Sequence, residues 1–249
     1  MRRIAVALSK GGVGKTTTAV NLAAGLAAAG HRVLLIDADT QGQVTKALGV
    51  QPAAGLAELA VGEVAPDQAL VEARDRLWVL AGGRSLAGLK RLITRQDFGG
   101  ERVLAEALAP LDGRYDYAIV DTAPGWDALT VGVLFYAREV LAPVSLEVMT
   151  LQSLMEFSRS LVGIQKYHAE LSLAYVVPTF LDRRVKKSDE ILSQLESRYS
   201  PQLCPPIRYS VRLSEAPGYG QTIYEYAPRS PGAQDYQKLV GRVARDDRP

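Results

Sequence analysis

Ser9-Lys10-Gly11-Gly12-Val13-Gly14-Lys15-Thr16-Thr17 limits what this chain can fold into more than any other stretch. An apolar run, Ile4 to Leu8, precedes it, and an Ala/Leu-rich segment, Thr18 to Ala29, follows. The order is therefore strand, glycine loop, helix, the setting that a phosphate-binding loop requires. Glycines let successive backbone N–H groups turn inward on an anion, and the helix start adds its positive dipole end. In such a loop Gly11, Gly12, Val13, Gly14 and Thr17 line the phosphates, Lys15 reaches the β- and γ-phosphates, and the Thr16 hydroxyl ligates Mg²⁺. The common pattern G-x-x-x-x-G-K-[ST] would put glycine where Ser9 stands, and this loop opens with a second lysine, Lys10.

Two acidic motifs follow strands. Asp37-Ala-Asp39-Thr40-Gln41-Gly42 ends the run Val33–Ile36, and two carboxylates so close repel unless a cation or a polarised water compensates. A helix N-cap is the alternative for Asp39. Ala118-Ile-Val-Asp121 is an apolar strand ending in an acid, the arrangement that holds Mg²⁺, often through water. The alternative there is a strand-end cap. Pro124 and Gly125 follow as a stiff and a flexible residue, suited to sensing a γ-phosphate.

Further strand-like runs lie at Leu77–Leu80, Tyr117–Val120, Val140–Val144, Leu173–Val177 and Ile207–Val211. Helical patterns lie between them at Glu101–Ala109, Leu129–Ala137, Leu151–Tyr167, Lys187–Tyr199 and Ala233–Val243. Alternating strands and helices predict an α/β fold, a doubly wound, mostly parallel sheet covered on both faces, with ligands beyond the carboxyl ends of the strands. Residues 49–75 read as a loosely helical excursion and 82–100 as a polar, mobile connection. The 249 residues are read as one domain, 1–249. A net charge of only +2 confines any nucleic-acid surface to a local patch. The single Cys204 excludes a disulfide framework and reads as a structural thiol. His31 and His168 lack metal-ligand spacing and are taken as surface residues. Met1-Arg-Arg-Ile runs straight into the first strand, leaving no room for a signal peptide, and no apolar run reaches membrane-spanning length, so a cytoplasmic protein is expected.

In the C-terminal half, Leu213-Ser-Glu215-Ala-Pro217-Gly-Tyr-Gly220 reads as a turn-rich loop followed by an extended piece, then a helix capped near Ser230-Pro231. Asp182-Arg183-Arg184-Val-Lys186-Lys187 puts four cations within five residues before a helix. By charge alone these suit phosphate contacts, or a solvated loop balanced by Asp182, Asp189 and Glu190.

The loop with its early lysine, the two acidic motifs and the Leu213–Tyr236 stretch together resemble the ParA/MinD family of deviant Walker A ATPases, in particular its short chromosomal branch. The resemblance runs from Arg3 to about Arg242. It implies ATP and Mg²⁺ as cofactors, with Lys10 reaching across a nucleotide-sandwich homodimer to the partner's phosphates. It implies that Asp39 helps orient the attacking water and that Asp37 lies near the outer shell of the metal bound by Thr16 and Asp121. It places base contacts at Arg208, where this chain has Ile207-Arg208-Tyr209 instead of the family's Ile-Pro-Arg. Thr40 replaces the usual proline, and Thr122-Ala-Pro-Gly125-Trp126-Asp127 departs from the family's D-T-P-P. Non-specific contacts to double-stranded DNA fall at Arg184 and Arg212, joined by Arg183, Lys186 and Lys187. The implied activity is weak ATP hydrolysis, stimulated by a ParB-like partner, in chromosome or plasmid partition at the nucleoid. No room remains for an N-terminal helix-turn-helix, so repressor activity is not expected. The alternatives are a MinD-like membrane-cycling ATPase, a positioner of another cargo, and a nucleotide switch with little turnover. The weakly apolar last helix, with Tyr236, Leu239, Val240 and Val243, argues against the membrane.

Overall fold

The computed structural model describes residues 1–182 and 184–246, apart from the Lys186 side chain. The strands are β1 (Arg2–Val6), β2 (Val33–Ala38), β3 (Leu70–Arg74), β4 (Leu77–Leu80), β5 (Tyr117–Thr122), β6 (Glu139–Ser145) and β7 (Ser172–Thr179). The first helices are α1 (Lys15–Ala28), α2 (Gln43–Leu48), α3 (Leu56–Ala60), α4 (Pro66–Ala69), α5 (Leu86–Thr94) and α6 (Val103–Leu108). They are followed by α7 (Ala128–Tyr136), α8 (Val148–Gln165), α9 (Lys186–Tyr199), α10 (Val211–Glu215), α11 (Ile223–Tyr226) and α12 (Pro231–Arg245).

The strands form one sheet in the order β3-β4-β2-β5-β1-β6-β7, parallel throughout except for β3 against β4. This is the doubly wound, mostly parallel α/β sheet expected. Alternation along each strand feeds two cores. Ile4, Val6, Val33 and Leu35 join the layer of α1, α2, α11 and α12. Ala5, Leu34 and Ile36 join the layer of α3, α5, α6, α7 and α8. Gly30 stops α1 at φ 98°, its N–H donating to the Ala27 carbonyl. Ser230 caps α12 by accepting from the Ala233 N–H, with Pro231 in the first turn.

Several expectations need correction. Residues 70–74 are not helical but an antiparallel edge strand, joined to β4 by a tight turn in which Arg76 takes φ 58°. Half-exposed on both faces, β3 has no apolar alternation to betray it. Residues 82–100 contain α5, which buries Leu86, Leu89 and Ile93. Ile207–Val211 is no strand: the Leu181–Arg208 bridge is isolated, and α10 starts at Val211. Residues 223–226 form α11, a helical turn closed by a Thr222/Glu225 capping box, where an extended piece was expected. The histidines are half-buried: His168 Nε2 lies 2.7 Å from the Ala137 carbonyl oxygen, and His31 meets Tyr117 edge-on. Cys204 is buried, its thiol pushed up to about 12 by burial, in keeping with a structural role.

Candidate nucleotide site

The glycine loop lies between the carboxyl end of β1 and α1. Gly12 (φ 73°) and Gly14 (φ 88°) adopt left-handed backbone that other residues enter only at a cost, and this curls the loop. Thr179 Oγ1 fixes the loop from outside by donating to the Val13 carbonyl at 3.0 Å. Gly11, Gly12, Gly14, Lys15, Thr16, Thr17 and Asp39 line a cavity of about 420 Å³ together with Phe180, Ile207–Ser210 and Leu213.

Lys15 is buried, and burial lowers its ammonium pKa against the opposing pull of Asp121 and Asp39. Its Nζ donates to the Lys10 carbonyl at 2.9 Å. Thr16 Oγ1 donates to Asp121 Oδ2 at 2.7 Å, while Asp121 Oδ1 is buried without a partner. Complete burial, with Asp37 paired across the sheet to it, raises the Asp121 carboxyl well above its ordinary range. Burial likewise pushes Asp37 up to about 6, although the Asp39 and Val44 N–H groups donate to it at 2.9 and 3.1 Å. The latter bond ties Asp37 to the start of α2. The capping alternative fails for Asp39, because Gly42 is the residue that precedes α2. Asp39 Oδ1 accepts instead from Gln41 N–H at 3.0 Å, within the turn.

Two adjacent buried carboxylates, one with an orphaned oxygen beside a threonine hydroxyl, form a donor set that fits Mg²⁺, a hard cation normally held by few protein oxygens together with phosphate. Among the described residues no group of three or more His, Cys, Asp or Glu could hold a metal by itself.

Lys10 does not line the cavity. Its Nζ donates to Glu147 Oε2 and to Thr150 Oγ1, each at 2.8 Å, at the start of α8. Glu147 and Thr150 carried no sequence signal, since only the fold brings them to the loop. Gly82 was also missed: a Cβ there would sit 2.6 Å from the Asp37 carbonyl oxygen and 2.8 Å from its carboxyl group. Gly125 donates to the Ser9 carbonyl at 2.9 Å from φ 97°, a left-handed conformation that favours glycine. Trp126, 38% exposed, stacks on Phe157. Arg208 lines the cavity, but its guanidinium is bound twice to the buried Asp235, at 2.8 Å each.

Of the expected DNA contacts, Arg184, Lys187 and Arg212 do not line this cavity. Arg184 is exposed and paired with Asp182 at 2.7 Å, and Arg212 is paired with Glu215 at 3.0 Å. Lys187 is exposed. Arg183 and the Lys186 side chain lie outside the described residues.

A parallel sheet, a glycine loop capping α1, a buried lysine and two strand-end acids define a P-loop nucleotide-binding protein. A family model described as an AAA domain matches residues 1–173. The chain is 38% identical over 245 residues to the chromosome-partitioning ATPase Soj of Thermus thermophilus, covering 98% of this chain and 95% of that one. It is 33% identical to the chromosome partitioning protein ParA of Caulobacter vibrioides, covering 100% and 96%. The chain belongs to the ParA/Soj family of P-loop ATPases. Among solved structures, a cobyrinic acid a,c-diamide synthase from Mycobacterium smegmatis superposes with a TM-score of 0.85 at 31% identity, over 99% of this chain and 95% of that one. The same protein has been solved with ADP and magnesium and with an ATP analog and magnesium, each at TM-score 0.84 and 32% identity. MinD of Pyrococcus horikoshii with Mg-ADP shares the fold, at TM-score 0.80 and 23% identity over 97% of this chain and 95% of that one.

Proposed function

We propose that this chain, acting as one 1–249 unit, hydrolyses ATP slowly and uses the cycle to bind and release DNA in chromosome or plasmid partition. The observation that carries the reading is the cluster of buried Lys15, Asp37 and Asp121 with half-buried Thr16 donating to Asp121. The loop N–H groups and Lys15 bind the phosphates; Thr16 and Asp121 hold Mg²⁺, with Asp37 behind them. Bound Mg²⁺ would neutralise charge on the phosphate oxygens. Asp39 orients the attacking water. A triphosphate carries more negative charge than Lys15 alone can balance, so Lys10 of a second copy completes the site and couples dimerisation to ATP. Arg208 and its neighbours wall the nucleobase.

The dimer binds double-stranded DNA through backbone phosphates, using Arg183, Arg184, Lys186, Lys187 and Arg212, without sequence preference. A ParB-like partner stimulates hydrolysis and release, at the nucleoid in the cytoplasm. No helix among the described residues is long and apolar enough to cross a membrane. The test is DNA retardation with ATP, ADP and no nucleotide, for the wild type and for Lys15→Gln and Arg212→Glu. ATP-dependent retardation is expected, lost in both variants; equal binding without nucleotide would refute the switch.

A further inference from the structure

Residues 84–102 carry five cations, Arg84, Lys90, Arg91, Arg95 and Arg102, against two acids, Asp97 and Glu101. Their net charge of +3 exceeds the +2 of the whole chain. Lys90 is engaged with Asp127 at 2.9 Å, but Arg84, Arg91, Arg95 and Arg102 make no ion pair among the described residues, and all four are exposed. At about 100° per residue, Arg91 and Arg95 project within about 40° of each other when α5 is extended by one residue at its end, and exposed Arg84 stands in the turn two residues before the helix. Leu86, Leu89 and Ile93, buried in the core, lie diametrically opposite. The tertiary fold thus turns an unremarked basic stretch into a continuous guanidinium stripe facing solvent.

We propose that the Arg84/Arg91/Arg95 face of α5 is a second contact surface for the DNA phosphate backbone. This rests on the DNA-binding reading above and adds a surface that reading does not contain. Arg184 and Arg212 each already have a carboxylate partner, which a phosphate would have to displace, whereas the α5 arginines are uncommitted. The stripe extends about 16 Å along the helix and the turn before it, and duplex DNA presents one charge per ~1.7 Å of its axis, so several phosphates fall within reach. An acidic protein segment fits less well. It would need apolar anchoring beside the charges, yet Leu92 lies about 80° round the helix from the stripe, and Phe98 sits next to Asp97. Arg184 follows β7 at one edge of the sheet and α5 follows β4 near the other. Five strand spacings, about 24 Å, separate β4 from β7, so the two surfaces are distinct.

The test measures affinity for a random-sequence DNA duplex with ATP and Mg²⁺ across a salt series, for the wild type, for Arg84→Ala/Arg91→Ala/Arg95→Ala, and for the corresponding triple lysine variant. The alanine variant is expected to bind at least tenfold more weakly at 0.1 M salt. Its log–log salt slope should be shallower by about 2.7, since each phosphate contact contributes about 0.9. The lysine variant should keep the slope, because it keeps the charge. Unchanged binding of a fluorescent ATP analogue would show that the alanine variant is folded. A wild-type slope in the alanine variant would overturn the proposal while leaving the DNA reading intact. Loss of poly-L-glutamate binding without a change in DNA slope would assign the face to an acidic protein and overturn it equally. Wild-type protein that binds no DNA in any nucleotide state would remove both readings.

Discussion

Glu147→Gln is the perturbation that most directly probes Lys10. In the single protomer the Lys10 ammonium is held by Glu147 and Thr150, 2.8 Å from each, with the lysine side chain 27% and the glutamate 66% exposed. A lysine so held must leave its carboxylate before it can reach the phosphates of a second copy. An ion pair this exposed stabilises by about 0.2–1 kcal/mol. The proposed sandwich dimer would release two such pairs, so the contact would oppose dimerisation by about 0.4–2 kcal/mol. Glutamine keeps a neutral hydrogen bond and removes the charge. With 1.4 kcal/mol to a factor of ten, the variant should dimerise about 2- to 30-fold more tightly in the presence of a slowly hydrolysed ATP analogue. Sedimentation equilibrium measures this directly, and raising the salt should shrink the difference as the ion pair is screened. A weaker dimer in Glu147→Gln would refute the reasoning, since it would make Glu147 part of the assembled interface rather than a restraint on the separate protomer.

The buried acids predict a pH dependence in nucleotide- and Mg²⁺-free protein. Asp37, held at about 6 by burial, keeps its proton to higher pH than the unfolded chain does, whose aspartates titrate near ~3.9. Its stabilising contribution is therefore complete below about pH 4 and is lost as the pH rises to about 6. The urea midpoint should fall over that interval, and less steeply in Asp37→Asn. Arg208→Ala leaves the carboxylate of Asp235, 3% exposed, without its guanidinium. The pair is intermediate between a surface and a buried one, so denaturant unfolding should report a loss of about 2 kcal/mol.

The local chemistry of the nucleotide site was legible in the chain because its parts are contiguous. A glycine loop between strand and helix, and an acid closing an apolar strand, are short patterns whose geometry is fixed by neighbouring residues. The parallel sheet was legible for a related reason: strands buried on both faces carry continuous apolar runs, as Val33–Ile36 of β2, Tyr117–Val120 of β5 and Val140–Val144 of β6 do. Elements stabilised by distant partners were not legible. β3 exists because β4 pairs with it, and α5 because its Leu86, Leu89 and Ile93 meet the layer of α3 and α7.

The same division runs through the charged residues. Sequence alone put Lys10, Lys15, Asp37 and Asp121 in short motifs whose chemistry suits phosphate and Mg²⁺, and of the two lysines only Lys15 lines the cavity. Only the tertiary structure decided that Lys10 is restrained by Glu147, that Arg208 is committed to Asp235, and that Arg84, Arg91 and Arg95 make no ion pair among the described residues. Electrostatic partnership depends on separations of a few ångströms in space, and residues 137 positions apart along the chain acquire such a separation only when the sheet closes around them.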